Sequence, residues 1–215
     1  MSSKWYDIFS FTYDSFLEKL YFGSRQQAID FLDLKPGQTI LDIACGTGAN
    51  FKHIIATKAD IEIYGTDLSE GMLNKGQVTI SKKKWKNITL FQADARDLTP
   101  AFVKKRIKKE PHFDRIICFL GLSVIPDWEQ VLDKMLNLLK ENGRIVIVDV
   151  FAERRNFNTW LVEKFAKADL NRKIWQLLKT KTSQFHYKYL PIKESKVGGK
   201  LFLATGIKNS PSNKI

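Results

Sequence analysis

Short apolar runs rich in β-branched residues alternate along this chain with longer segments of helical periodicity. Such alternation is typical of parallel sheets, because a helix must carry the chain back between two strands that run in the same direction. The runs are largely apolar at successive positions, which indicates strands that helices cover on both faces. The predicted parallel strands are residues 39–43, 61–66, 88–92, 113–119 and 143–150.

Helices are predicted between these strands and after the last one. The helix before the fifth strand is expected to end at Glu141-Asn142-Gly143, a sequence typical of helix C-termini. Two further strands, 183–190 and 200–207, follow with no helix between them and are expected to pair as an antiparallel hairpin. The predicted fold class is therefore α/β, with a Rossmann-like seven-stranded, mostly parallel sheet, helices on both faces and a C-terminal antiparallel β-hairpin. The predicted helices are residues 48–57, 70–82, 100–108, 128–140 and one long helix from about 156 to 179.

The length and composition indicate one globular domain. With 215 residues and 44% hydrophobic content, the chain can bury one sizeable core but not two. Residues 1–34 are expected to form a helical lid or substrate region, 35–208 the α/β core and 209–215 a flexible tail. The chain lacks a bilayer-spanning apolar run and a signal-peptide pattern, which predicts a cytoplasmic protein, with peripheral contact to the inner membrane face left open.

The cysteine and histidine content predicts no metal site. Cys45 and Cys118 have no CxxC or metal-ligand spacing, and His53, His112 and His186 are scattered along the chain.

The net charge of +12 is large and uneven. Basic clusters fall at residues 82–86, at 104–109 and from Arg172 to the end. Such a balance favours an anionic partner, either nucleic acid or an anionic membrane surface, although solvated faces that keep the protein soluble explain the charge equally well.

The turn after the first strand predicts a nucleotide-type ligand, because small residues let a ligand approach the backbone and the amides at a helix start favour a negative group. Phe51 stands where the dinucleotide fingerprint G-x-G-x-x-G has its third glycine, and its ring is expected to hinder the packing that seats a pyrophosphate. S-adenosylmethionine (SAM) has no pyrophosphate, and the charge of Asp42 suits its ammonium or sulfonium side. We therefore expect SAM at this turn. The predicted contact residues are Asp42, Ala44, Cys45, Gly46 and Gly48.

The ends of the second and third strands add further candidate cofactor residues. Asp67 lies about 20 residues beyond the glycine turn, where a carboxylate accepts both ribose hydroxyls in NAD and SAM sites alike. Leu68 and Met72 are placed to pack on an adenine face, although core packing alone would explain them. Asp94 is a candidate acceptor for the adenine amino group, with the Ala95 amide beside it, and its alternative role is the N-cap of the next helix.

Five segments in this order resemble successive motifs of the class I SAM-dependent methyltransferases, over residues 35–150. They read ILDIACGTG, IYGTDLSEGML, FQADARDL, FDRIICFLGL and GRIVIVDV. The resemblance implies SAM as the cofactor and methyl transfer as the activity, with Phe119 and Leu120 of the fourth motif also at the cofactor. Ala44 stands where many members carry glycine, a mild change that is expected to leave binding intact.

The two ends of the chain carry the substrate information. Apolar residues from Trp5 to Leu20 share one helical face, which predicts a lid over the cofactor, a helix on a membrane surface or a helix packed on the sheet. The pairs Tyr6-Asp7 and Tyr13-Asp14, Phe22-Gly23-Ser24-Arg25 and the distal segments 185–187 and 198–206 are similar to bacterial phospholipid and betaine-lipid N-methyltransferases. That resemblance implies the amine headgroup of a membrane lipid as the acceptor.

An amine acceptor must present its lone pair, so a nearby side chain is expected to take or orient a proton. Each candidate for this role is equally well explained as a surface or packing residue. The candidates, in order, are Tyr13, Tyr6, Asp127 and His186. Arg154 and Arg155 follow the fifth strand and are candidates for contact with a headgroup phosphate or carboxylate.

Three other functions stay open. C-methyltransferases that act on a quinone or another small molecule share the core motifs. An RNA or other nucleic-acid methyltransferase would explain the charge, but residues 119–123 carry neither an Asn/Asp-Pro-Pro-aromatic signature nor a Pro-Cys nucleophile, so nucleic acid is the less favoured partner. A non-catalytic SAM-binding protein is the third alternative, and nothing in the cofactor turn favours it.

Overall fold

The computed structural model describes residues 4–154, 159–160, 163–164, 167–192 and 197–209, and of residues 4–17 it describes the backbone alone. The strands within these ranges are β1 Thr39–Ile43, β2 Glu62–Asp67, β3 Ile88–Gln92, β4 Phe113–Phe119, β5 Leu139–Phe151, β6 Thr182–Tyr189 and β7 Lys200–Lys208. They form one sheet in the order β3-β2-β1-β4-β5-β7-β6. The first five strands pair in parallel, and β7 runs antiparallel to both β5 and β6. The predicted fold class is confirmed.

Helices cover both faces of the sheet. They are α1 Lys4–Leu32, α2 Phe51–Ala56, α3 Glu70–Lys83, a short 3-10 helix Ala95–Asp97, α4 Pro100–Ile107, α5 Trp128–Leu138 and α6 Ile174–Lys181, and residues 159–160 and 163–164 are also helical. The apolar side chains of α1, α2 and α3 form one core with one face of the sheet, and those of α4, α5 and α6 form another core with the opposite face. Each fully buried Leu or Ile contributes about 1.5–3 kcal/mol of hydrophobic stabilisation.

Local sequence sets the ends of α3 and α4. Ser69 caps α3 by accepting the Met72 N–H at 3.2 Å, and Thr99 caps α4, whose first residue is a proline. Both helices end in a lysine with positive φ, Lys84 at 57° and Lys108 at 56°. The first two basic clusters of the sequence, residues 82–86 and 104–109, therefore lie at helix C-termini, at the amino end of the parallel strands, where cations interact favourably with the helix dipole.

The long helix predicted from about 156 to 179 is wrong, because residues 167–173 are not helical and α6 begins only at Ile174. Tertiary hydrogen bonds take the place of helical ones in this segment. The Leu170 carbonyl accepts the Ala152 N–H at 2.8 Å, and the Asp169 N–H donates to the Ser123 carbonyl at 2.8 Å. Periodicity alone does not reveal such contacts with distant parts of the chain.

Two predicted helix boundaries also shift. The helix before β5 ends at Leu138 and not at Lys140, because Leu139 pairs with Phe113 of β4. The pairing then resumes at Arg144, and Asn142 adopts the left-handed conformation in the predicted stop signal, with φ 60°. The helix after β1 begins at residue 51 and not at 48, because a tight turn occupies residues 46–50.

The N-terminal helix is continuous with the core. Its second half buries Tyr21, Ala28, Ile29 and Leu32 against the sheet and its neighbouring helices. Of the apolar face predicted from Trp5 to Leu20, the part up to Phe16 lies where only the backbone is described, and residues 210–215 of the predicted tail lie outside the described residues. None of the described helices has the length and apolarity that crossing a bilayer requires.

The packing of Gly206 gives a test of the hairpin at the sheet edge. An ideal Cβ at this glycine would lie 2.1 Å from the Thr182 Oγ1 of β6. We expect Gly206→Ala to lower the free energy of unfolding by about 1–3 kcal/mol, because the neighbouring strand must shift. The matched control is Gly23→Ala on α1, where a Cβ meets nothing within 4 Å and helix propensity improves, so stability should rise by about 1 kcal/mol. Denaturant unfolding measures both, and equal effects of the two variants would contradict this account of the packing.

Candidate functional site

The carboxyl ends of three adjacent strands bring the predicted cofactor motifs together. Ile43 of β1 lies in register with Thr66 of β2 and with Cys118 of β4. Because the chain leaves each strand at the same edge of the sheet, the loop after Ile43 is the neighbour of Asp67 and Phe119. Segments far apart in the sequence thus form one candidate site.

The loop after β1 depends on left-handed backbone conformations. Ala44, Gly46 and Gly48 have φ values of 56°, 56° and 80°. This conformation costs a residue with a Cβ about 1–2 kcal/mol. Glycine at position 44 would therefore suit the turn better than the alanine present. The loop is also tied to β2, since the Cys45 N–H donates to the Thr66 carbonyl at 3.0 Å.

Phe51 fills the space beneath this loop. Its side chain is buried, and an ideal Cβ at Gly48 would lie 2.2 Å from the ring, while one at Gly65 would lie 2.7 Å from it. The ring therefore separates α2 from β2 where a third glycine would let helix and strand pack closely. Two amides at the start of α2 already have partners within the turn, because those of Phe51 and His53 donate to the Gly48 and Asn50 carbonyls, each at 3.0 Å.

Asp67 joins the loops that follow β1 and β2. Its Oδ2 accepts the Gly46 N–H at 2.8 Å and its Oδ1 accepts the Ser69 N–H at 2.9 Å. Burial raises the pKa of this carboxyl, and the two amide donors oppose that rise. An ionised carboxylate has about four acceptor positions, so about two remain for hydroxyl donors of a ligand.

Asp42 is a second carboxylate at this edge, and it is fully buried. Its Oδ2 accepts the Asn50 side-chain amide at 3.0 Å, while its Oδ1 has no hydrogen-bond partner. Burial raises the pKa of the Asp42 carboxyl to about 7, against the opposing effects of Asn50 and Arg25. A buried acceptor without a donor is costly, so this atom is suited to a ligand cation or donor.

Arg25 and Asn50 complete this polar cluster, and sequence reasoning gave neither a role. The Arg25 Nη1 donates to the Asn50 Oδ1 at 2.5 Å, and its guanidinium lies 4.2 Å from the centre of the Phe119 ring. Arg25 comes from α1, so the N-terminal helix supplies a charged group to the candidate site. Its only sequence signal is its place in the Phe22-Gly23-Ser24-Arg25 segment.

Leu68 and Met72 follow Asp67 on the outer side of the site. The Leu68 side chain is 55% exposed, a high value for a large apolar residue, and Met72 in the first turn of α3 is half-buried. Gln92 of β3 fixes the Leu68 backbone by donating its side-chain amide to the Leu68 carbonyl at 2.9 Å. An exposed apolar side chain at a fixed position suits contact with a flat aromatic ligand.

Asp94 caps the 3-10 helix, which was the alternative role for this residue. Its Oδ1 accepts the Arg96 N–H at 2.9 Å, and its Oδ2 accepts the Arg96 Nη2 at 2.6 Å. The Arg96 guanidinium holds the pKa of the Asp94 carboxyl below its usual range. Ala95 is the first residue of this helix, and the Asp127 carboxylate lies 3.8 Å from the same guanidinium. The structure thus groups Asp127 with Asp94.

The loop after β4 is held by two residues that sequence reasoning missed, Asp149 and Arg172. Leu120 begins this loop in the left-handed conformation, with φ 60°. The buried Asp149 at the end of β5 accepts the Ser123 N–H at 2.8 Å, and burial raises the pKa of its carboxyl. Arg172 donates to the Leu122 and Ile125 carbonyls at 2.5 and 2.6 Å. The acid at the end of the apolar run Ile145–Val148 was the available signal for Asp149.

Of the predicted proton-handling residues, the structure places His186 away from these strand ends. The side chains of Tyr6 and Tyr13 lie outside the described part of α1. His186 is exposed on β6 and stacks on the Phe31 ring at 5.1 Å, with four strand spacings, roughly 19 Å, between β6 and β1. Arg154 is exposed just beyond β5, and Arg155 is outside the described residues.

The side chains of Cys45, Cys118 and His53 are buried, and burial shifts the pKa of each. Cys45 and Cys118 are buried free thiols, and burial raises the pKa of each. Burial lowers the pKa of His53 to about 4, and its ring lies against Phe22. In the part of the chain that the structure describes, no cluster of three or more His, Cys, Asp or Glu side chains is arranged to bind a metal.

A family model described as a methyltransferase domain matches residues 34–194, which is well over half of the chain. The chain belongs to this methyltransferase family. The matched region starts two residues after α1 and includes all of the strand ends described above.

Individual relatives of this methyltransferase domain are distant. A demethylmenaquinone methyltransferase of Desulfitobacterium hafniense is 31% identical over 150 residues, which is 69% of this chain and 55% of that protein. The chain spans about half the length of the curated relatives it matches.

The methyltransferase domain also has structural relatives at low sequence identity. Phosphoethanolamine N-methyltransferase 2 of Haemonchus contortus, solved with S-adenosyl-L-methionine, superposes with a TM-score of 0.70 at 16% identity, covering 87% of this chain and 53% of that one. The YcgJ protein of Bacillus subtilis superposes with a TM-score of 0.67 at 17% identity, covering 87% and 99%. At this identity the superpositions establish the fold.

The buried Asp42 makes the stability of the methyltransferase domain depend on pH. Its folded-state pKa of about 7 is above the value of about 4 for an unfolded Asp, so the folded state binds more protons between these values. The free energy of unfolding should therefore fall as the pH rises from about 4 to about 7 and then level off. Asp149 acts in the same direction, so the difference between wild type and Asp42→Asn isolates Asp42. Urea unfolding across this range should give a flatter curve for Asp42→Asn, and parallel curves would show that Asp42 does not titrate there.

Proposed function

We propose that this chain is a SAM-dependent methyltransferase that acts on a small-molecule acceptor. The observation that supports it best is the Asp67 carboxylate, which two loop amides hold in place with acceptor positions to spare. Two neighbouring hydroxyls, as on a ribose, match those remaining positions. Family membership and the order of the five motifs support the same conclusion.

The residues present fit the nucleoside part of SAM. Asp67 would accept the ribose hydroxyls, and the exposed Leu68 with Met72 would cover one face of the adenine. Asp94 keeps an acceptor position for the adenine amino group while it caps the 3-10 helix, and the Ala95 amide lies next to it.

The amino-acid part of SAM fits the cluster around Asp42. The unpartnered Oδ1 of Asp42 calls for a donor or cation, and the ligand ammonium would supply one. Arg25, held by Asn50 over the Phe119 ring, places a guanidinium in the same cluster, where it suits the ligand carboxylate. The loop from Ala44 to Gly48 and the Phe119-Leu120 turn would enclose the rest of the cofactor.

The chemistry follows from positioning. SAM would supply a methyl group bound to a positively charged sulfur, and in an in-line displacement the bond from the acceptor to the methyl group would form as the sulfur–methyl bond breaks and the sulfur leaves as a neutral thioether. The protein's own groups bind both partners at the strand ends and hold them in line, and such positioning alone supplies several kcal/mol of rate enhancement. A proton acceptor, if the substrate needs one, is proposed among Tyr13, Tyr6, Asp127 and His186, of which Asp127 lies nearest to the cofactor motifs in the described structure.

The acceptor is proposed by class. Curated relatives from Desulfitobacterium hafniense and Bacillus mycoides are named demethylmenaquinone methyltransferases, which favours the ring of a quinone over the lipid amine that the chain ends suggested. The residues on which the lipid-amine expectation rests include Tyr6 and Tyr13, whose side chains the structure does not describe. We therefore place a quinone-type acceptor first and a lipid amine second.

Removal of the Asp67 carboxylate tests the cofactor assignment. Asp67→Ala should weaken SAM binding by about a hundredfold or more, because hydrogen bonds to a charged acceptor contribute about 1.5–3 kcal/mol each. Asp67→Asn retains an acceptor oxygen for one of the two loop amides and should show a smaller loss than Asp67→Ala. Asp60→Ala, an exposed carboxylate before β2, is the matched control and should bind SAM normally. Titration calorimetry decides, and unchanged affinity in Asp67→Ala would refute the assignment.

A labelled-methyl assay identifies the acceptor. The protein and SAM with a labelled methyl group are incubated separately with demethylated quinols, with amine-headgroup lipids and with RNA. We expect label in the quinol fraction, and label in the lipid fraction alone would reverse the order of the two proposed acceptors. Label in RNA alone would refute the small-molecule proposal, and Asp67→Ala should abolish labelling in whichever fraction carries it.

A further inference from the structure

Two exposed aromatic side chains lie at one corner of the carboxyl edge of the sheet. Trp160 is 47% exposed and Tyr189, the last residue of β6, is 46% exposed. The Thr159 hydroxyl donates to the Gly198 carbonyl at 2.7 Å, which holds the Trp160 segment against the turn before β7. Tyr189 pairs with Phe202 near the start of β7. Both rings therefore flank the beginning of the same strand.

Each of these rings carries a lysine over its face. The Lys164 Nζ lies 4.7 Å from the centre of the Trp160 ring, and the Lys200 Nζ lies 5.2 Å from the centre of the Tyr189 ring. Trp and Tyr favour the interface between lipid tails and headgroups because one end of the ring is apolar and the other polar. Lysine reaches from such a ring to anionic headgroups. This combination matches an anionic membrane surface.

The position of this corner connects it with the candidate site. Lys200 lies opposite Phe151 at the end of β5, two residues beyond the Asp149 that holds the loop after β4. Another large exposed apolar residue lies on the same edge, namely Leu68 just beyond the end of β2. The carboxyl edge, on which the candidate site lies, therefore has exposed apolar side chains.

We propose that the aromatic rim, defined as Trp160, Lys164, Tyr189 and Lys200, docks the protein on an anionic membrane with the site opening towards the bilayer. This orientation would bring a methyl acceptor dissolved in the membrane to the cofactor, and in that respect the inference rests on the proposed function. Docking itself needs neither cofactor nor acceptor.

The basic clusters at the amino edge are less suited to this role. They end α3 and α4, where the helix dipole already favours cations, and two of their lysines are paired, Lys104 with Glu110 at 2.7 Å and Lys109 with Glu62 at 2.6 Å. A membrane at that edge would be separated from Asp67 by the length of β2, roughly 17 Å. The amino edge therefore provides a matched control surface.

Vesicle co-sedimentation of the full chain tests the proposal, without SAM, on phosphatidylcholine vesicles with and without phosphatidylglycerol. Wild type should bind the anionic vesicles, and binding should weaken as salt is added. Lys164→Glu with Lys200→Glu should weaken binding by about tenfold or more, since each lysine near the surface contributes about 1 kcal/mol. Trp160→Ala with Tyr189→Ala should weaken the binding that persists at high salt.

The matched control is Lys83→Glu with Lys105→Glu, two exposed lysines of α3 and α4 that change the net charge equally. Its vesicle binding should remain within about twofold of wild type. Equal loss in both charge variants, loss only in the amino-edge variant, or no binding by wild type would each overturn the proposal. So would an RNA oligonucleotide that binds the rim more tightly than vesicles do.

Two further measurements separate this inference from the proposed function. Thermal unfolding and SAM calorimetry on the rim variants should match wild type, because the rim contains none of the proposed cofactor residues. If the wild-type protein binds SAM but not vesicles, the docking proposal alone is refuted. If it binds vesicles but not SAM, the proposed function alone is refuted.

Discussion

The carboxylate of Asp67 is the contact on which the arrangement of the site depends. It accepts one amide from the loop after β1 and one from the loop after β2, and so it fixes two turns that have no common secondary structure. The first of these turns contains three residues in the left-handed conformation. A backbone in this conformation is strained and keeps its shape only when hydrogen bonds and packing hold it. Phe51 supplies the packing from below, and Ser69 continues from the Asp67 contact into the cap of α3.

Buried polar groups organise the remaining loops in the same way. Asp42 and Asp149 stand at the ends of two apolar strands, and each fixes a segment from another part of the chain, through Asn50 in one case and Ser123 in the other. Burying these carboxylates raises the pKa of each, so the fold gives up stability near neutral pH to keep polar groups at the strand ends. In Asp149 both oxygens have amide donors, whereas in Asp42 one oxygen has none and can accept a hydrogen bond from a ligand.

The positive charge of the chain has two structural settings. At the amino edge, lysines lie at the C-termini of α3 and α4, where the helix dipole favours them, and Lys104 and Lys109 also pair with nearby carboxylates. At the carboxyl edge, lysines lie over exposed aromatic rings close to the turn before β7. Net charge alone does not distinguish these settings, because it carries no information about what surrounds each lysine.

The sequence by itself determined the order of strands and helices, the hairpin at the end and the segments that form the site, because hydrophobic periodicity and turn residues are local properties. It also indicated Asp67, whose spacing from the glycine turn reflects one βα unit. Only the tertiary structure decided that residues 167–173 leave the helix, that Arg25 of α1 joins Asn50 and Phe119, and that His186 lies on an edge strand away from β1. These features arise from contacts between residues that are distant in the chain, and a sequence pattern over neighbouring positions gives no information about such contacts.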